Sequence, residues 1–130
     1  MNQTRITPSH ISTLSDGEIF VFGSNARGLH MGGAARFAME RFGAVWGNGE
    51  GLQGSSYAIP TMEGLESLSA AVQRFISFAG QHGELKFLVT PIGCGIAGYT
   101  AEEIAPFFRD AADLQNVYLP QSFWDVLKSL

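Results

Sequence analysis

Two glycine-rich segments contain the residues best suited to bind an anion. The first, GSNARGLHMGGAA, covers residues 23–35, and the second, GCGIAGY, covers residues 93–99. Each stands between an apolar run and a predicted helix. The first amides of a helix lack partners, and the macrodipole adds about half a positive charge there. Neither segment contains a lysine, although Arg27 and Arg36 lie in or beside the first. A diphosphate held mainly by backbone amides, such as those of Gly32, Gly33 and Ala34, fits this pattern. The alternative is that both segments are only tight connections between a strand and a helix, and the occurrence of two such segments favours the diphosphate.

Two familiar nucleotide-binding motifs are matched in letters but not in chemistry. Residues 23–28 have the G-x-x-x-x-G spacing of a P-loop, but Leu29 and His30 stand where that motif needs Lys and Ser or Thr. Because those side chains are missing, the sequence argues against triphosphate hydrolysis. Residues 49–54, GEGLQG, match the dinucleotide-binding fingerprint, but a predicted strand follows them instead of preceding them. A flexible or ligand-covering loop is therefore the preferred interpretation of this segment.

Few side chains in the two segments could take part in a reaction. In the first segment, His30 is the one residue able to act as a base near neutral pH, and it could equally contact a ligand or support the loop. Cys94 could be a nucleophile if the nearby helix start lowers its pKa, or a small buried apolar residue. His10, His30 and His82 have no ligand spacing between them, so we predict no metal site and no cofactor.

Alternating strands and helices must position these segments, which predicts an α/β fold. Residues 18–22 are almost entirely apolar and predict a strand buried on both faces, in a parallel or mixed sheet. Thr100 and Glu103 form a capping box that begins a helix, which Pro106 should kink or split. The predicted strands cover residues 18–22, 56–59, 85–90 and 116–119, and the predicted helices cover residues 8–14, 33–42, 64–80, a segment from 101 and a terminal segment capped by Ser122.

Length and charge limit the remaining possibilities. The chain has 130 residues, a length that favours one domain. Its net charge is −4 and it contains no run of basic residues, so we expect no extended nucleic-acid surface. A single cysteine allows no internal disulfide. The N-terminal residues have no apolar stretch suited to a signal peptide, and none of the apolar runs reaches the roughly 20 residues that span a bilayer. We expect a cytoplasmic protein without a membrane partner.

Three segments, taken in order, resemble the macro domain family. Phe22–Asn25 followed by Gly32–Ala35 is similar to that family's strand, "NAAN" and glycine run. Ser56–Pro60 resembles its middle strand, and Val89–Tyr99 resembles its "PAISTGIYGY" strand and phosphate loop. The matched segments extend over roughly residues 18–119 and are moderately specific when taken together. The resemblance implies a three-layer α/β/α fold with a central mixed sheet, binding ADP-ribose or a related NAD-derived nucleotide.

The resemblance also assigns roles to residues. It places Asn25 at the distal ribose, the amides of residues 32–34 and 93–98 around the diphosphate, and Tyr99 in the pocket wall. Residues 6–11 contain no acid where the family usually has Gly-Asp-Ile, and Ala35 and Arg36 stand where hydrolytic members often have an acid. The predicted ligand-binding residues are Gly23, Ser24, Asn25, Gly28, His30, Gly32, Gly33, Ala34, Gly93, Cys94, Gly95, Ile96, Ala97, Gly98 and Tyr99.

Two functions follow from these assignments. The first is a module that reads or sequesters an ADP-ribose-like nucleotide, free or attached to a macromolecule. The alternative is an ADP-ribosyl hydrolase that acts on a modified protein or nucleic acid, with His30 in place of the missing acid. A structural or interaction role is a third interpretation.

Overall fold

The computed structural model describes residues 5–130, and within them the chain forms five strands and four α-helices. In chain order the elements are β1 (Glu18–Ser24), α1 (Gly33–Arg41), β2 (Gly51–Gln53), β3 (Ser56–Pro60), α2 (Leu65–Gly80), β4 (Lys86–Val89), α3 (Ala101–Ile104), a 3₁₀ helix (Ala105–Asp113), β5 (Val117–Tyr118) and α4 (Gln121–Lys128). The expected α/β class is confirmed. Pro106 lies at the start of the 3₁₀ helix and splits this region, as its missing amide requires.

The five strands form one mixed sheet in the order β2-β3-β1-β4-β5. β2 pairs antiparallel with β3, and every other pairing is parallel. Because β1, β3 and β4 run in the same direction, their carboxyl ends lie at one edge of the sheet. In open α/β sheets, ligands bind outside that edge. The two glycine-rich segments leave β1 and β4 there, side by side.

Alternate side chains of β1 enter two different hydrophobic clusters. Phe20 and Phe22 pack with Ala35 and Ala38 of α1 on one face of the sheet. Ile19 and Val21 pack on the other face with the buried side chains of α2, the 3₁₀ helix and α4. Helices therefore cover both faces, which explains why the four residues from Ile19 to Phe22 are all apolar instead of alternating with polar ones.

The glycine-rich connector between α1 and β3 folds tightly and contains a strand, β2, that the sequence did not predict. β2 is only three residues long and pairs with β3. The buried side chain of Gln53 organises the turn before it: Oε1 accepts from Val45 N at 2.7 Å, and Nε2 donates to the carbonyls of Asn48 at 3.1 Å and Gly51 at 3.2 Å. The glycines here allow the backbone to pack closely. The GEGLQG motif of residues 49–54 contains β2 and is followed by β3, so the helix that a dinucleotide-binding motif needs after it is missing.

Two expectations about local structure are wrong. Residues 8–14 form no helix, because the preceding segment pairs with the chain beyond β5: Ile6 bridges Leu119, and Thr7 N donates to Leu119 O at 2.9 Å. Ser122 does not cap α4, since the N-cap is Pro120 with no side-chain hydrogen bond. In residues 5–130, none of the helices is long and apolar enough to cross a membrane.

Candidate functional site

A cleft of about 390 Å³ opens at the carboxyl edge of the sheet, between the two glycine-rich segments. One wall is the start of α1, from Gly32 to Ala35. The opposite wall is the segment after β4, including Gly93 and residues 95–97. The sequence predicted both walls, and the parallel pairing of β1 with β4 brings them together.

The start of α1 is left open toward this cleft. Its N-cap is Gly32, which provides no capping side chain, and its first turn contains no acid. By contrast, the much shorter α3 begins with a complete capping box, in which Thr100 Oγ1 accepts from Glu103 N at 3.3 Å and Glu103 Oε1 accepts from Thr100 N at 2.9 Å. The N–H groups of the first turn of α1 thus have no partner in the helix, and the dipole there favours an anion.

The second segment presents further uncommitted amides. Its turns are closed by Gly98 N donating to Gly95 O at 3.0 Å and Tyr99 N donating to Gly93 O at 2.8 Å. The amides of Gly95, Ile96 and Ala97 donate to no acceptor among residues 5–130. A Cβ added at Gly32 or Gly95 would meet nothing within 4 Å, so the backbone is open to a ligand at both walls. Successive free amides of this kind form an anion-binding concavity.

Neutral hydroxyl groups form the floor of the cleft. Ser24 ends β1, and Thr61 and Thr90 directly follow β3 and β4. Thr61 Oγ1 donates to Ser24 O at 3.1 Å, and Thr90 Oγ1 donates to Val21 O at 2.7 Å, so both threonines tie neighbouring strand ends together. Neither threonine was among the predicted site residues, although a hydroxyl residue directly after a predicted strand marks the same sheet edge.

The cleft contains no charged side chain among its lining residues. Polar atoms come from backbone, hydroxyl groups and Asn25, and the remaining lining is apolar. At its mouth stand three exposed apolar side chains, Met31, Met62 and Ile96. An anion bound here would be held by dipoles, without a formal positive charge.

The side chain of Asn25 lines the cleft but is used within its own loop. Its Nδ2 donates to Leu29 O at 3.1 Å, and its Oδ1 accepts from Leu29 N at 3.0 Å. These two bonds close the turn over residues 25–29. Each end of the amide retains one further hydrogen-bonding position, so contact with a ribose hydroxyl stays a prediction.

His30 lies beneath the cleft rather than in its lining. The side chain is fully buried, and its ring packs edge-on against Phe22 with 5.4 Å between centroids. Nδ1 lies 3.3 Å from Ser24 Oγ, whereas Nε2 has no hydrogen-bond partner among the described residues. The contact of His30 with a residue of the cleft lining is therefore its hydrogen bond to Ser24. The predicted catalytic role is untested by this arrangement.

Four other predicted residues also lie outside the lining of the cleft. Gly28 packs against the connector, where a Cβ would come within 2.3 Å of Asn48 N. Cys94 and Tyr99 pack against the hydrophobic cluster on the α2 face, and Gly98 closes the turn described above. Burial, and then the carboxylates of Glu102 and Glu103, raise the pKa of the Cys94 thiol. A raised pKa disfavours the thiolate that a nucleophile role would need, and it agrees with the alternative interpretation of Cys94 as a small apolar residue.

Neither a metal-binding cluster nor an aromatic ring for stacking on a base is found among the described residues that line the cleft. Among residues 5–130, no three His, Cys, Asp or Glu side chains are grouped closely enough to hold a metal ion. The aromatic rings of Phe22 and Tyr57 are buried in the two clusters, and Trp46 is exposed on the connector. None of these three rings lines the cleft.

Comparison of the chain with protein-family models, with curated proteins and with solved structures finds no match.

Proposed function

We propose that this protein binds ADP-ribose or a related NAD-derived nucleotide, as a reader or sequestering module, with the diphosphate between the two glycine-rich segments. The observation that carries the proposal is the pair of facing walls: the uncapped start of α1 and the uncommitted amides of residues 95–97. The resemblance of residues 22–25, 32–35, 56–60 and 89–99 to macro domains supports the same ligand class.

The chemistry of the walls suits a diphosphate better than a single charge. Each wall offers a set of N–H groups, so the two phosphates can each accept several hydrogen bonds. Hydrogen bonds to an ionised acceptor are roughly twice as strong as neutral ones. The volume of about 390 Å³ also lies within the usual range for small-molecule sites.

Binding is favoured over hydrolysis because the lining of the cleft includes no group that titrates near neutral pH. A general base must lie within about 3.2 Å of the proton that it removes, directly or through one water. His30 is fully buried and touches Ser24, so it does not meet that condition itself. The hydrolase alternative would need Ser24 or the substrate to provide the proton path.

Titration calorimetry with ADP-ribose, ADP and NAD tests the proposal. We expect heat with ADP-ribose in the wild type and its loss in Gly95→Glu, which places a carboxylate among the free amides at a backbone position without strain. Gly83→Glu is the matched control, since an added Cβ there also meets nothing within 4 Å and the residue lies outside the cleft. If none of the three nucleotides binds to the wild type, the proposal fails.

Incubation with an ADP-ribosylated protein separates the two functions. A binding module leaves the modification intact while retaining it on a pull-down. Release of ADP-ribose by the wild type, and not by Ser24→Ala, would replace the binding module with the hydrolase.

A further inference from the structure

A buried histidine and a serine of the cleft lining share a hydrogen bond. Nδ1 of His30 lies 3.3 Å from Oγ of Ser24, and both residues are buried. Ser24 lines the cleft, whereas His30 does not. The hydroxyl of Ser24 also lies 3.3 Å from the carbonyl oxygen of Asn25. The direction of the bond between His30 and Ser24 therefore decides which acceptor receives the hydroxyl proton.

The second ring nitrogen of His30 indicates which nitrogen bears the proton. Nε2 is buried and has no hydrogen-bond partner among residues 5–130. A neutral imidazole carries one N–H group and one bare nitrogen, and an imidazolium carries two N–H groups. Either an imidazolium or a proton on Nε2 alone would leave a buried donor unpaired, and such donors are rare in folded proteins. A neutral ring with its proton on Nδ1 avoids this cost, because Ser24 Oγ then accepts the hydrogen bond.

The strand β1 directs the side chain of Ser24 toward the wall that α1 forms. Side chains alternate between the two faces of a strand, and Phe20 and Phe22 pack against α1. Ser24 follows two residues after Phe22 and so lies on the same face. The uncapped start of α1 is the cleft wall on that face. A hydroxyl proton that is not donated to His30 is thus on the side where the diphosphate is proposed to bind.

We infer that His30 is a positioning residue, which makes the hydroxyl of Ser24 a hydrogen-bond donor to the bound diphosphate. Nδ1–H donates to Ser24 Oγ, and the hydroxyl proton is left for Asn25 O in the free protein and for the ligand in the complex. A charged acceptor forms the stronger bond, so the ligand competes well with the carbonyl. The inference rests on the proposed function, because the diphosphate is the acceptor.

The same bond direction closes the hydrolytic route through this pair. A general base must take up the proton that the nucleophile or the water loses. A nitrogen that already bears a proton cannot take one from Ser24, and the bare Nε2 is buried away from the hydroxyl. The pair therefore favours binding over hydrolysis.

Nitrogen NMR of the histidine rings tests the tautomer in the unaltered protein. A ring nitrogen with a proton and one without resonate in well-separated ranges, so the spectrum shows where the proton lies. At pH 8, where an ordinary histidine is neutral, we expect the proton of His30 on Nδ1, with and without pyrophosphate. The spectrum of His30→Asn identifies the signals by their absence. A proton on Nε2 alone would overturn the inference.

Variants of the pair test the donation to the diphosphate. His30→Leu removes the donor, while His30→Asn keeps an N–H group close to the place of Nδ1. We expect pyrophosphate to bind about three- to tenfold more weakly to Ser24→Ala and to His30→Leu, and within about threefold of the wild type to His30→Asn. Adding His30→Leu to Ser24→Ala should cause no further loss. His82→Leu is the matched control, because His82 lies outside the lining of the cleft, and it should leave the affinity unchanged.

The outcomes separate this inference from the proposed function. If neither pyrophosphate nor ADP-ribose binds to the wild type, the diphosphate site itself is wrong and the inference falls with it. If both bind and Ser24→Ala leaves pyrophosphate unaffected, Ser24 does not donate to the diphosphate and this inference alone is overturned. Equal losses in folded His30→Asn and His30→Leu would also overturn it, since His30 would then act through packing. If His30→Leu does not fold, Ser24→Ala and the ring spectrum decide.

Discussion

Replacement of Gly32 by aspartate should stabilise the protein and abolish diphosphate binding at the same time. Gly32 is the N-cap of α1, with φ −161°, which is extended backbone that any residue adopts. An added Cβ meets nothing within 4 Å, so the change introduces no clash. Aspartate is among the best N-cap residues, and its carboxylate would accept from the amides that the ligand is proposed to use.

The size of each effect can be worked out separately. A negative charge at the start of a helix contributes about 0.3–1 kcal/mol. Replacing a glycine restricts the unfolded chain and adds about 0.4–1 kcal/mol. A total near 1 kcal/mol would raise the melting temperature by about 3–5 °C in a chain of this length. Against a phosphate about 4 Å away, the new charge costs about 4 kcal/mol at an effective dielectric constant near 20. Solvent screening in an open cleft reduces that value, so we expect an affinity loss of at least about a hundredfold.

Thermal unfolding and calorimetry with ADP-ribose measure the two effects on one preparation. Gly32→Asn provides the neutral comparison, because it has the same size and capping ability without the charge. Gly83→Asp reports the effect of a glycine replacement outside the cleft. The asparagine variant should gain stability and lose much less affinity than the aspartate variant.

Two results would refute this reasoning. If Gly32→Asp binds ADP-ribose as tightly as the wild type does, the amides at the start of α1 do not hold the diphosphate. If the variant is less stable than the wild type, the start of α1 is not an open N-terminus, and the geometry that motivates the proposed function is wrong.

Three further predictions concern the stability and reactivity of the fold. Burial, and then the charge of Glu50, raise the pKa of Tyr57 to about 12, so the folded state favours the neutral phenol. The contribution of this group to the free energy of unfolding should be complete below pH 10 and fall by about 2 kcal/mol between pH 10 and 12. Denaturant titrations should show that fall in the wild type and not in Tyr57→Phe. Because burial raises the pKa of Cys94, alkylation by iodoacetamide at pH 8 should be slower than that of free cysteine, and a faster rate would contradict the placement of this thiol. Gly28→Ala should lower the free energy of unfolding by more than about 2 kcal/mol, because φ is +70° and the new Cβ would lie 2.3 Å from the backbone nitrogen of Asn48. Gly33→Ala also has a positive φ, but its Cβ would meet open space, so denaturant titration should show a loss of about 1 kcal/mol.

The long elements could be predicted because their patterns are local. The apolar run of β1, the helical spacing of α2 and the capping box of α3 each specify an element without help from distant residues, and all three are confirmed. β2 could not be predicted, since three residues in a glycine-rich connector become a strand only by pairing with β3. The helix expected over residues 8–14 failed for the same reason: the Thr7 amide is satisfied by a carbonyl near the other end of the chain.

Some features of the candidate site could likewise be predicted from neighbouring residues, and others depend on contacts between distant residues. Both glycine-rich walls follow from short-range patterns, because a strand, a glycine run and a helix are consecutive in the sequence. The placement of individual side chains does not. The sequence could not show that His30 is buried beneath Ser24 or that the side chain of Asn25 closes its own turn, and ligand contact by either residue stays a prediction. Thr61 and Thr90 reach the floor only because β3 and β4 flank β1.

The sequence by itself determined the α/β class and the presence of two anion-suited segments, each opening a helix after a strand. These properties depend on hydrophobic periodicity, glycine and backbone hydrogen bonding between near neighbours. Only the tertiary structure decided that the two segments face each other, that the lining of the cleft between them is uncharged, and that a second cavity adjoins it. Those properties depend on which strands pair and on how the N-terminal segment packs beside β5, and such contacts between distant residues leave no local pattern in the sequence.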